Sequence, residues 1–140
     1  MSATIRVKLN RLPEISKVVE RKVEGALLAG AQVIEGAAKL KIQTGPKTGR
    51  LYPRGDKVHQ ASAPGEAPAT DTGNLVGGIS SEKAGRLKAR TTVTSEYATP
   101  LELGSADGKI LARPFMQPAA DESTDTVVEL VSQAIKDGVK

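Results

Sequence analysis

From about Glu14 to Gln43, apolar and small residues recur at three- and four-residue steps: Ile15, Val18/Val19, Val23, Ala26/Leu27, Gly30, Val33/Ile34, Ala37/Ala38 and Ile42. That period is helical, and about thirty residues at 1.5 Å each make a rod of roughly 45 Å. Lys17, Glu20, Arg21, Glu24 and Lys39 fall on the opposite face. The middle of the rod is built from small residues: Gly25, Ala26, Ala29, Gly30, Ala31, Gly36, Ala37 and Ala38. Glycine inside a soluble helix costs about 1 kcal/mol relative to alanine. Such a stripe predicts close approach of a sheet or another subunit; the alternative is a weak helix kinked near Gly30 or Gly36.

The core available to cover this rod has little bulk. The aromatics are Tyr52, Tyr97 and Phe115, there is no Trp, and 14 Gly and 8 Pro stand among 140 residues. Val, Ile, Leu and Ala must fill the interior. A monomer of this length ordinarily buries about two-thirds of its unfolded surface, so part of the stability is expected to come from neighbouring subunits. One domain over residues 1–140 is expected.

Composition removes several function classes. No run approaches the roughly 18 apolar residues of a membrane span, and Met1–Arg6 lack the apolar core of a secretory signal. The absence of cysteine excludes disulfide scaffolds, thiolate metal sites and cysteine nucleophiles. A single histidine, His59, leaves almost no room for His-based triads or multi-His metal sites. The net charge is +4, compatible with nucleic acid. It is uneven: residues 1–44 carry +4 and residues 119–140 carry −3. A basic front and acidic tail fit head-to-tail contact between copies as well as a polyanion partner.

Ile5, Val7 and Leu9 alternate with Arg6 and Lys8, which predicts a strand over residues 3–9. Residues 44–73 break all periodicity and are dense in Gly, Pro and small polar residues. They are expected to form an extended basic arm, carrying Lys47, Arg50, Tyr52, Arg54 and Lys57, that orders against a partner. Asp71-Thr72-Gly73-Asn74-Leu75 reads as a turn into a short element through Ile79. Leu87 to Thr94 reads as a strand, and Tyr97 to Leu103 as a short helical turn limited by Pro100. Residues 112–118 are expected to be extended, because residues before proline avoid the helical region. A closing amphipathic helix runs from about Pro118 to Asp137, with early acids Asp121, Glu122 and Asp125 matched to its dipole. The expected class is α+β: a small, mostly antiparallel sheet, long N-terminal and C-terminal helices, and the arm.

No catalytic constellation stands out. Gly73, Gly77 and Gly78 make no dinucleotide fingerprint, and no phosphate-binding glycine loop is present. His59 lies in the arm without a partnered nucleophile and acid. Glu96 and Glu102 are six apart and could cap, or pair with Arg113, rather than act as acid and base. Asp71, Asp107 and Asp121 to Asp125 lack metal-ligand spacing. No cofactor is expected and the chain reads as a non-enzyme. Base stacking needs surface aromatics interleaved with cations, and these are missing.

The order of elements, with Asp71-Thr72-Gly73-Asn74-Leu75, then Tyr97-Ala98, Leu101-Glu102-Leu103-Gly104, then Ala112-Arg113-Pro114-Phe115-Met116-Gln117-Pro118-Ala119, resembles the tail-completion or neck (head–tail joining) proteins of long-tailed bacteriophages. That family typically shows D-T-G-x-L, Y-A-x-x-x-E-[FHL]-G-T and A-R-P-F-[LM]-x-P-A. Here Gly104-Ser105 replaces Gly-Thr. The resemblance covers nearly the whole chain in element order and about a fifth of it in motifs. It implies a virion structural protein, made in the host cytoplasm, that forms a homo-oligomeric ring, sixfold or twelvefold. It would contact neighbouring neck, connector and tail proteins, and pass DNA without reading sequence. No membrane partner is implied. A tail-terminator ring and a small basic nucleic-acid-binding protein are the alternatives. Within the last motif, Pro114 and Pro118 bracket Phe115 and Met116, which are expected to be fixed apolar plugs. Arg113 is expected to pair with Glu102.

Overall fold

The computed structural model describes residue 3 and residues 11–70 and 73–140. The strand expected over 3–9 lies, but for residue 3, outside the described residues, as do Asp71 and Thr72. The rod is one unbroken helix, α1 (Leu12–Thr44), with Pro13 in its first turn, where the missing N–H costs nothing. Next come β1 (Leu51–Arg54), β2 (Lys57–Gln60), α2 (Asn74–Gly77), β3 (Ile79–Gly85), β4 (Lys88–Val93), α3 (Ala98–Leu103) and α4 (Met116–Gly138). The class is α+β. In place of one sheet, the described residues form two, each a two-stranded antiparallel hairpin.

The stripe of small residues explains how α1 packs. Its neighbours are α4, β3 and β4. A side chain at Gly30 would stand 3.1 Å from Val127 of α4. One residue on, the Ala31 carbonyl accepts the hydroxyls of Ser81 (3.0 Å) and Thr91 (2.7 Å), which pins both strands of the β3–β4 hairpin to the helix. The stripe therefore receives a helix and a hairpin of the same chain. The far end of that hairpin is tied down as well. Arg86 donates to both carboxylate oxygens of Glu20, at 2.6 and 2.8 Å. Glu24 accepts the N–H of Leu87, whose φ of 51° is left-handed.

Buried hydrophobics are few. Among the described residues, Ala31, Ala38, Ile42, Ile79, Ala98, Phe115 and Ala119 are buried, and only Phe115, Ile42 and Ile79 are large. Leu51, Val58, Tyr97, Leu103, Val128 and Val139 are more than half exposed. The chain exposes 9835 Å², whereas a folded chain of its mass exposes roughly 6,900 Å². Full exposure of the residues outside the described set, roughly 150 Å² each, closes little more than half of that gap.

Two glycines give opposite expectations. Gly36 is exposed, with nothing within 4 Å of the place a Cβ would take. Gly36→Ala should stabilise by about 0.5–1 kcal/mol through helix propensity and the unfolded chain. At Gly138 a Cβ would lie 2.9 Å from Cα of Val19. Gly138→Ala should destabilise by about 1–3 kcal/mol through overpacking of α4 on α1. Urea denaturation of the two variants checks both signs.

Candidate functional site

The two later motif segments meet at the start of α4. Glu102, near the end of α3, accepts the backbone N–H groups of Phe115 (2.8 Å), Met116 (3.0 Å) and Gln117 (2.8 Å). The next residue, Pro118, has no N–H. The N–H of Ala119 then opens the helical ladder by donating to the Phe115 carbonyl. Every donor that a helix start normally leaves unmet is thus satisfied or absent. The carboxylate also faces the positive end of the helix dipole. Phe115 can therefore be wholly buried at the helix start, next to Ala119, Ile42, Ile79 and Ala98 in the core. Met116 packs half-buried against the same cluster.

The expected pair between Arg113 and Glu102 does not form. Glu102 is committed to the three N–H groups, and Arg113 joins α3 through its backbone, donating its N–H to the Leu101 carbonyl. Its side-chain Nε is buried with no hydrogen-bond partner. Gly104 closes α3 at φ 81°, where a Cβ would stand 3.2 Å from the Ile110 carbonyl oxygen. The Ser105 hydroxyl donates to Asp107 (2.6 Å) and accepts the Ile110 N–H (2.9 Å), folding the loop back toward Arg113.

The extended arm is a second correction. Residues 44–70 fold back on the body of the protein. β1 and β2 pair from Leu51↔Gln60 to Arg54↔Lys57 around Gly55-Asp56. Pro53 faces Val58, a pairing that asks no N–H of it. Glu66 fastens the base by accepting the Thr48 hydroxyl, the Thr48 N–H (2.9 Å) and the Ala63 N–H (2.8 Å). The Gly65 N–H reaches the Ala112 carbonyl, which ties this region to the last motif. Lys47 turns inward and donates to the Ala67 carbonyl (3.0 Å), so it is no free cation of an arm. Burial lowers its pKa, an effect that Glu66 partly offsets. Arg50, Arg54 and Lys57 stay exposed on the hairpin. Tyr52 and His59, directly paired across the strands, pack with ring centres 5.2 Å apart and planes tilted by 59°.

These pieces line an open cavity of about 330 Å³ between the β1–β2 hairpin, the start of α2, the start of α3 and the last motif. Tyr52, His59, Ser62, Ser95, Tyr97 and Arg113 are among its walls. Gly73 caps α2 at φ 81° and also lines the cavity, while Leu75 packs on the core. Pro114 is half-buried. Sequence reasoning missed Glu66, Ser62 and the Gly65–Ala112 tie. Gly55-Asp56 between short apolar runs was the available signal. No group of three or more metal-ligating side chains occurs among the described residues. No described helix is long and apolar enough to cross a membrane. Comparison with family models, with curated proteins and with solved structures finds no match.

Two outcomes follow. Glu102→Ala should cost about 2–4 kcal/mol, since several charge-assisted bonds to buried donors are lost together. Glu102→Gln, which keeps an acceptor, should cost less. Chemical denaturation checks both. The pKa of Glu66 is lowered, first by the Thr48 hydroxyl and then by the Ala63 and Thr48 N–H groups. Its share of stability is therefore present above the usual carboxylate range and fades as pH falls through the lowered folded value. The protection of the Thr48 and Ala63 amides, taken relative to intrinsic exchange at each pH, should fall in that acid window, and Glu66→Gln should remove that change in protection.

Proposed function

We propose that this chain is a structural protein of a tailed-phage virion, forming a ring at the head–tail junction that joins the filled capsid to the tail and leaves a channel for DNA. The observation that carries the reading is the Glu102 clamp. The segments Tyr97–Gly104 and Ala112–Ala119, on which the family resemblance rests, form one hydrogen-bonded unit around Phe115. A shared motif pair that builds a single joint is a more specific likeness than two unrelated short matches.

Surface statistics support assembly. Even after allowance for the residues outside the described set, the excess exposed area is more than the roughly 800 Å² that one partner buries in a standard interface. The outward side of the β1–β2 hairpin carries Leu51 and Val58, at 61% and 70% exposure, while Arg50, Arg54 and Lys57 are exposed on its other face, the one that carries Tyr52 and His59. The exposed face of α4 carries acids and Val128. Unlike patches of opposite charge suit the heterologous contacts that cyclic symmetry requires.

Electron microscopy of lysates from a phage with this gene disrupted tests the reading. Separate DNA-filled heads beside separate tails of normal length are expected. Tails of uncontrolled length would transfer the role to a tail terminator. Intact infectious particles would overturn the structural role altogether.

A further inference from the structure

Among the described residues that line the cavity beside the last motif, Arg113 is a charge without a counter-charge. Its guanidinium Nε is buried and unpartnered, and Arg113 forms no ion pair with any described residue. A partly desolvated cation without a counter-charge is costly, whereas a carboxylate meets a guanidinium in a geometry that satisfies two donors at once. The other walls, Tyr52, Tyr97, His59, Ser62 and Ser95, offer hydroxyl and ring groups. Tyr and Arg together are the residues that most often anchor protein interfaces.

The complementary imbalance lies on α4. Asp125 and Glu129 stand one turn apart, both exposed and without a hydrogen bond or ion pair. Like charges at this spacing repel. Glu122, by contrast, is taken by Lys41 (2.6 Å), Asp121 by Gln117 (2.8 Å) and Asp137 by Gln133 (2.9 Å). Among the described residues, Asp56 and Glu96 are further unpaired acids, but neither belongs to such a pair on a rigid element. Val128, 58% exposed, flanks Asp125 on the same helix surface and adds an apolar group beside the pair.

We propose that the Arg113 cavity is a carboxylate-binding site whose occupant is the Asp125/Glu129 pair on α4 of a second copy of this chain. The inference rests on the reading of the protein as a self-assembling ring and names the contact that would propagate it. Each copy then gives its α4 face to one neighbour and its cavity to the other.

Sedimentation velocity of the full chain over a wide concentration range tests the contact. Arg113→Gln and the double variant Asp125→Asn/Glu129→Gln should each weaken self-association at least about thirtyfold, as expected for a broken buried charge pair. Mixing the two variants is the sharper test. The first keeps its acids and the second keeps its cavity, so together they should form dimers that grow no further. If Arg113→Gln fails to fold, the surface double variant decides by itself. Undiminished association in the double variant, or a mixture that stays monomeric when both variants fold, overturns the proposal. So does a wild-type chain that remains monomeric. Wild-type association that ignores every substitution rejects this contact and leaves the ring reading standing. Open filaments that respond to the substitutions support the contact and reject the ring.

Discussion

One carboxylate decides where the interior of this protein can be. Phe115 is the only aromatic residue fully buried, and it sits at the very start of α4, the part of a helix that normally needs water for its free N–H groups. Burial and an open helix end are incompatible unless those donors are met from within. Glu102 meets three of them, and Pro118 removes the one that would follow. With that conflict resolved, α4 can start inside the core and run out along α1. The apolar centre then forms where helix, hairpin and motif converge.

The rest of the packing follows from having so little bulk to spend. Among the described residues, alanines supply four of the seven buried hydrophobic positions, so backbones must come close for the interior to be dense at all. Gly30 admits Val127, and the Ala31 carbonyl draws in the hairpin hydroxyls. Specificity along α1 is thus carried by two polar side chains and a missing methyl rather than by interlocking large residues. A surface rich in Leu, Val and Tyr is what remains when a small interior cannot hold them.

Period and punctuation made the helices legible. The sequence reading places α1 over 14–43 against the observed 12–44, and α4 over 118–137 against 116–138. It places β4 within a residue at each end. The hairpin β1–β2 escaped because its strands are four residues long and contain a proline. Its anchors, Glu66 and the Ala112 carbonyl, are remote in sequence and invisible to periodicity. Ser80, Ser81 and Glu82 hid β3, since a strand that faces α1 through a hydroxyl has no apolar alternation to read. At the site, residue types were legible and pairing was not. Arg113 and Glu102 looked like partners because opposite charges attract. The acid instead goes to backbone donors, a demand set by the start of α4, which sequence shows only as a proline and a phenylalanine.

The scarcity of aromatic residues also fixes what light can report. With no tryptophan, near-ultraviolet absorption and emission come almost wholly from Tyr52 and Tyr97. Both line the same cavity, one from β1 and one from the start of α3. Tyrosine emission or near-ultraviolet circular dichroism of the unlabelled protein is therefore a local gauge of that cavity, while α1 and α4, 33 and 23 residues long, contribute almost nothing to either signal.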